Sequence, residues 1–247
     1  MNLETLYFSD DLKKKLQKVA KDLADAAKKG GISKEKREEG RLNMAKKYYD
    51  IRMFGAVLST GLNAGQVRGP MQLTFAKSKS PILPLDLTIT RQARTTVERM
   101  ETGTTEIGRK ALIPYGLYEA HGYYSPYLAD KERNGTGVTE KDLELFWEAL
   151  RFMFDYDRSA ARGEMACRGL YIFTHENMRG NAAAHKLFEL VKVAQNKSET
   201  PPRQFIDYQV TLPGGITLAE GVTLSENVAP MAGLSLPPGV SLTVLEG

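Results

Sequence analysis

Cysteine is almost missing. Cys167 stands alone in 247 residues, so no disulfide can close within the chain, and the composition suits a reducing compartment. The thiol is read as an inert, buried small hydrophobe. Histidine is nearly as scarce, with His121, His175 and His185 as its three positions. Lysine and arginine stop after Arg203, while Glu220, Glu226 and Glu246 remain. No apolar run approaches the roughly 18 residues that would cross a bilayer. The opening MNLETLYFSDDLKKK lacks the basic-then-apolar order of a signal peptide. A cytoplasmic chain with no membrane contact is the expectation.

Catalytic signatures are missing as well. There is no G-x-x-x-x-G-K-[ST] phosphate loop, no G-x-S-x-G elbow and no paired-cysteine metal spacing. Gly135-Thr-Gly-Val-Thr-Glu lacks both the third glycine and the preceding strand of a dinucleotide site. The best enzymatic alternative is a metal-dependent ribonuclease using His185 and Glu189, one helical turn apart, joined by His175 or His121. No carboxylate cluster accompanies them.

What is present begins with a core: 42% of the residues are hydrophobic, enough for one large domain or one and a half small ones. A net charge of +4 and a pI near 9.0 lean towards an acidic partner. The chain is organised around Tyr48 to Ala93. An apolar run from Ile51 to Leu58 gives way to Gly61, Gly65 and Gly69, with Gln66 and Arg68 between them, then to the alternation Met71, Leu73, Phe75. This reads as strand, glycine-rich bend, strand. A bend with three glycines and an arginine can offer N–H groups and a guanidinium to phosphate. The plainer alternative is a hairpin that needs glycine only to turn.

Four segments carry a resemblance in register. They are the stretch just described, ITRQA at Ile89 to Ala93, GRKALIPYGLYEAHGYYS at Gly108 to Ser125, and DRSAARGEMACRGLYIF at Asp157 to Phe173. From about Tyr48 to Leu212 the chain resembles the CRISPR-associated backbone subunit of the type I-C (Dvulg subtype) Cascade complex, in the Cas-seven superfamily. The resemblance implies an α+β fold, an RNA-recognition-motif-like (ferredoxin-like) sheet with helices on one face and a projecting thumb hairpin. Family members usually begin with a strand, a glycine- and asparagine-rich loop and a basic helix. None of these is found here, so an atypical or truncated amino terminus lacking the usual first strand is expected. In their place are a helix capped by Ser9 or Asp10 and ended by Gly30 and Gly31, and a charged helix from Ser33 to about Lys47. The resulting division is an amino-terminal helical segment over 1–47, a palm over 48–212 with the thumb at about 91–110, and a tail over 213–247.

Between Arg91 and Lys110 the sequence is polar, threonine-rich and flanked by arginines, as in a long hairpin or loop. The resemblance implies that such a thumb folds over the guide RNA of a neighbouring subunit, which assigns Arg91, Arg94, Arg109 and Lys110 to RNA. A solvated charged loop is the alternative. Tyr115, Tyr118, Tyr123, Tyr124 and Tyr127, with His121, suit base stacking or strand packing, with packing favoured for most. Thr139 and Asp142 predict a capping box opening a helix whose core side would hold Leu143, Phe146, Trp147, Leu150, Met153 and Phe154. Arg158, Arg162 and Arg168 sit among small residues that permit close approach to phosphate, while pairing with Asp157 or Glu164 competes. A strand over Leu170 to Phe173, a helix over about Ala182 to Ala194 and a strand over Phe205 to Leu212 would follow. The tail repeats on a six-residue period, as Gly215-Ile-Thr-Leu and Gly239-Val-Ser-Leu illustrate, and is expected as a loosely ordered appendage.

The combined expectation is a non-enzymatic backbone subunit with no cofactor and no metal. Its RNA-binding set is Gln66, Arg68, Arg91, Arg94, Arg109, Lys110, Arg158 and Arg162. Its partners would be the CRISPR guide RNA, target DNA through pairing with that guide, other copies of itself and other type I-C Cascade subunits. A third reading is a degenerate copy that keeps only protein–protein contacts, through Leu12, Leu16, Val19 and Leu23 of the first helix.

Overall fold

The structure is a computed structural model, and it describes residues 34–58, 65–91, 106–160, 162–196, 200–214, 216–218 and 235–245. The helix expected between Ser9 and Gly31 lies outside these residues, as do the Gly61 part of the bend, Arg94 and most of the repeat tail.

Along the chain run α1 (Lys34–Lys47), α2 (Tyr49–Phe54), β1 (Gly55–Leu58), β2 (Gly65–Arg68), β3 (Met71–Leu73), β4 (Lys77–Ser78), β5 (Leu85–Arg91) and β6 (Glu106–Leu112). Then come β7 (Tyr118–Glu119), β8 (Gly122–Tyr124), α3 (Pro126–Ala129), α4 (Glu140–Tyr156), β9 (Leu170–His175), α5 (Ala184–Phe188), β10 (Lys192–Gln195), β11 (Tyr208–Leu212), β12 (Ile216–Leu218) and β13 (Val240–Leu245). The class is α+β. The described strands pair antiparallel in five two-stranded ribbons and one three-stranded sheet, and among the described residues they do not join into one sheet of the RNA-recognition-motif kind. Two compact units result, one within Met1–Leu73 and Gly122–Glu144, the other within Thr74–His121 and Leu145–Gly247.

In the first unit, α1 is almost wholly polar and is oriented by its charges, with Glu35 in the first turn and Lys46 and Lys47 in the last, each complementing the helix dipole. The run from Ile51 to Leu58, expected as one strand, is divided. α2 takes its first half, and Gly55 at φ 83° ends that helix by donating its N–H to the Ile51 carbonyl. Only then does β1 begin. It pairs with β2 in the register Gly55↔Arg68 to Leu58↔Gly65, so Gly65–Arg68 is strand rather than bend. Gly69 lies directly on the Phe54–Gly55 backbone, where any Cβ would collide. Pro70, which has no N–H to donate, then separates β2 from β3, and β3 turns away to pair with β8. The alternation Met71, Leu73, Phe75 therefore forms no buried face. Met71 is 2% exposed, but β3 stops at Leu73 and Phe75 is 97% exposed. The core of this unit is Ala45, Ile51 and Val67, flanked by Met44, Tyr48, Ala56 and Leu58. α4 opens as predicted: the Thr139 N–H donates to Asp142 Oδ2 at 2.8 Å, and the Asp142 N–H donates back to Thr139 Oγ1 at 3.3 Å.

In the second unit, Phe146 is the buried residue of α4, Trp147, Leu150 and Phe154 are half-buried, and Met153 is exposed. β9 runs two residues beyond the predicted Phe173. The helix expected to Ala194 ends at Phe188, because Val193 and its neighbours enter a ladder with β11 instead. Phe205–Asp207 form a single 3-10 turn closed by the Gln204 and Asp207 side chains, which delays the predicted strand to Tyr208. The tail supplies two strands. β12 adds to β11, and β13 pairs with β9 from Val240↔His175 to Leu245↔Leu170. Leu242 and Val244, at 3% and 2% exposure, form the core of this unit with Leu212.

Candidate nucleic-acid interface

β2 places Val67 inward and its neighbours Gln66 and Arg68 together on the outward face, as the two-residue period of a strand requires. Arg68 forms no ion pair among the described residues, so its charge is open to an anion. Beside it lies a shallow cleft, built within the first unit from α1, β2 and the loop that follows α3. Three arginines line it: Arg41, Arg68 and Arg133. Arg41 donates from Nη1 to the Gln66 carbonyl at 3.2 Å and pairs with Glu38 through Nη2. Arg133 reaches Asp130 through Nε at 3.3 Å and lies 5.1 Å above the Tyr127 ring. The loop folds tightly onto α3. The N–H groups of Gly135, Thr136 and Gly137 donate to the carbonyls of Asp130, Leu128 and Ala129, each at 2.8 Å. Asn134 takes a left-handed conformation at φ 59° to begin that turn. Thr136 is 8% exposed, and its Oγ1 has no hydrogen-bond partner among the described residues.

Arg41, Arg133 and Thr136 lie outside the set expected from the sequence, where Tyr127 figures only as a ring suited to stacking or packing. The signal available was modest: an Arg-Asn-Gly run, whose left-handed Asn and glycines bend a loop back on its own helix.

In the second unit, β5 and β6 form an antiparallel ribbon from Leu85↔Leu112 to Arg91↔Glu106. The residues between the strands, including Arg94, lie outside the described residues. Paired residues share a face, so Leu85, Leu87 and Ile89 share one with Lys110, and Asp86 and Thr88 share the other with Arg109. Arg109 and Lys110 thus point in opposite directions. Arg109 is highly exposed and 3.7 Å from Asp86. Arg91 ends β5.

Arg158 and Arg162 occupy the turn after α4, and both are already engaged. Arg162 makes a two-pronged pair with Asp157 at 2.6 and 2.8 Å, the competitor foreseen for it, and Arg158 pairs with Asp155 at 3.3 Å. Arg168 lies 5.3 Å over the Phe205 ring. Among the tyrosines, Tyr115 and Tyr124 are half-buried, and burial first of all raises the pKa of each hydroxyl. Tyr118, Tyr123 and Tyr127 are exposed. His121 stacks flat on Phe188 at 4.1 Å, and His175 accepts at Nδ1 from the Asn181 N–H at 3.0 Å. No group of three His, Cys, Asp or Glu side chains among the described residues could hold a metal.

Arg68 and Arg109 are exposed cations, and one comparison says to which family the chain belongs. Residues 4–213 match the model of the family described as CRISPR-associated protein Cas7. The chain belongs to that family. Cas7 proteins are, in general, CRISPR-associated backbone subunits that bind guide RNA and assemble with copies of themselves. The match starts well before Tyr48, so α1 lies inside the Cas7 region, and it ends before β12 and β13. No curated protein matches the chain. No helix among the described residues is long and apolar enough to cross a membrane.

Proposed function

We propose that the chain is a non-enzymatic backbone subunit of a type I-C Cascade complex, repeated along a CRISPR guide RNA in the cytoplasm. Residues 48–212 serve as an RNA-recognition-motif-like palm and about 91–110 as the thumb that reaches a neighbouring copy. Each copy neutralises a few phosphates and leaves the guide's bases free to pair with target DNA, so pairing reads sequence while the protein reads backbone charge and shape. The observation that carries the reading is the Cas7 match over residues 4–213. Geometry supports it with Gln66 and Arg68 on one exposed strand face and with Arg109 and Lys110 on a ribbon whose side chains stand mostly in solvent. Arg91 and Arg94 are assigned to the thumb. Arg158 and Arg162 join the set as positioned guanidiniums whose carboxylate partners a phosphate would displace.

The ribonuclease alternative gains no support. His185 and Glu189 are exposed, and His175 and His121 are occupied by Asn181 and Phe188.

The test is light-scattering chromatography of the purified chain with a CRISPR transcript and without one. A large, RNase-sensitive particle with a high 260/280 nm absorbance ratio is expected. A monomer that ignores the transcript would overturn the proposal.

A further inference from the structure

We infer that the cleft of the first unit seats one nucleotide of the bound RNA, with its phosphate among Arg41, Arg68 and Arg133 and its base or sugar within reach of the Thr136 hydroxyl. The inference rests on the RNA-binding reading above and adds to it a site whose key members, Arg41, Arg133, Tyr127 and Thr136, lie outside the set read from the sequence.

Three features of the cleft select this occupant. The first is its division of chemistry. Ala45 and Val67, at 1% and 9% exposure, give it an apolar floor, while the arginines stand at the rim. A bare inorganic anion has no use for such a floor, whereas a nucleotide carries an apolar ring face and a charge on one molecule. The second is the state of Arg133. It reaches Asp130 through Nε at 3.3 Å while its side chain stays largely exposed to a phosphate, and it rests on Tyr127, an exposed ring of the kind on which bases stack. Arg41, by contrast, is fixed in place by Glu38 and the Gln66 carbonyl, and acts as a positioned charge. The third is Thr136. It lines the cleft, and its hydroxyl is buried with no hydrogen-bond partner among the described residues, an unfavourable state that the tightly folded loop imposes.

The experiment is fluorescence anisotropy of a labelled single-stranded RNA oligonucleotide with the full chain over a range of salt concentrations. Arg133→Gln, at an exposed position, should weaken binding about fivefold and lower the salt slope by about one. Thr136→Val keeps the shape and removes only the hydroxyl. It should weaken binding about threefold at unchanged slope, with a melting temperature equal to or above that of the parent chain. Parent-like binding by both variants would overturn the cleft and leave the RNA-binding reading standing. A parent chain that does not bind the RNA would overturn both. A Thr136→Val chain that melts lower would show that the hydroxyl serves the fold, and would remove it from the site.

Discussion

Arg52 and Asp142, 90 residues apart in sequence, meet as a two-pronged ion pair, with Nη2 donating to Oδ1 at 2.6 Å and Nε to Oδ2 at 3.1 Å. The same guanidinium donates from Nη1 to the Ala45 and Lys46 carbonyls at the end of α1, and the same carboxylate accepts from the Thr139 N–H. One pair thus ties together the end of α1, the body of α2 and the start of α4. The Tyr49 hydroxyl joins it by donating to the Asp142 carbonyl at 2.9 Å, and burial, with Asp142 adding to it, pushes that phenol up to about 12.

Removing the carboxylate should cost more than removing the cap. Asp142→Ala leaves Arg52 half-buried and unpaired, and a loss of about 3 kcal/mol is expected. Thr139→Ala removes the two bonds its hydroxyl makes with Asp142, one accepted from the Asp142 N–H and one donated to Oδ2, at about 1 kcal/mol. Urea unfolding of the two variants measures the difference, and equal losses would mean that the Arg52 pair adds no stability.

The same carboxylate gives the fold an acid dependence. Burial by itself would raise its pKa, but the bonds from Arg52 and Thr139 outweigh burial and bring it down to about 2. The folded value lies below the unfolded one, so the stabilisation is present above about pH 4 and is lost as pH falls towards 2. After solvent screening it amounts to about 1–2 kcal/mol. The stability gap between the parent chain and Asp142→Asn should therefore close over that window, and a constant gap would rule this account out.

The two glycines that bracket β2 should behave differently. At Gly65, φ is 88° and the space around it is open, so Gly65→Ala meets only backbone strain, about 1 kcal/mol. At Gly69 a Cβ would run into the Phe54 and Gly55 backbone, which cannot yield, so Gly69→Ala should cost about 3 kcal/mol or more. Thermal melts of the two variants settle it, and similar values would refute the close approach.

Arg68→Ala should weaken RNA binding alike on all sequences and lower the salt slope by about one, with an unchanged melting temperature. Arg162→Ala should do less, because its charge is already shared with Asp157. An unchanged slope and a lowered melt for Arg68→Ala would assign that residue to the fold.

What the sequence made legible was local. The Thr139–Asp142 cap, α1 and β9 follow from spacing and side-chain chemistry within a few residues. The misreadings arose where a neighbour distant in sequence decided the outcome. Val193 belongs to a strand because β11 lies beside it, and Phe75 is exposed because β3 meets Gly122 and stops. The site divides the same way. Gln66 and Arg68 stand out from their glycine-rich surroundings, whereas Arg41 and Arg133 become one site only when α1 and the loop after α3 close on β2.

Because β13 completes β9, the order of synthesis matters to this chain. A nascent chain on the ribosome exposes Leu170–His175 long before Val240–Leu245 is made. Until then β9 keeps an open edge, a template for pairing with other chains. The second unit acquires Leu242 and Val244, and with them its core, only as translation nears Leu245. Chains released early would then be the ones most exposed to aggregation.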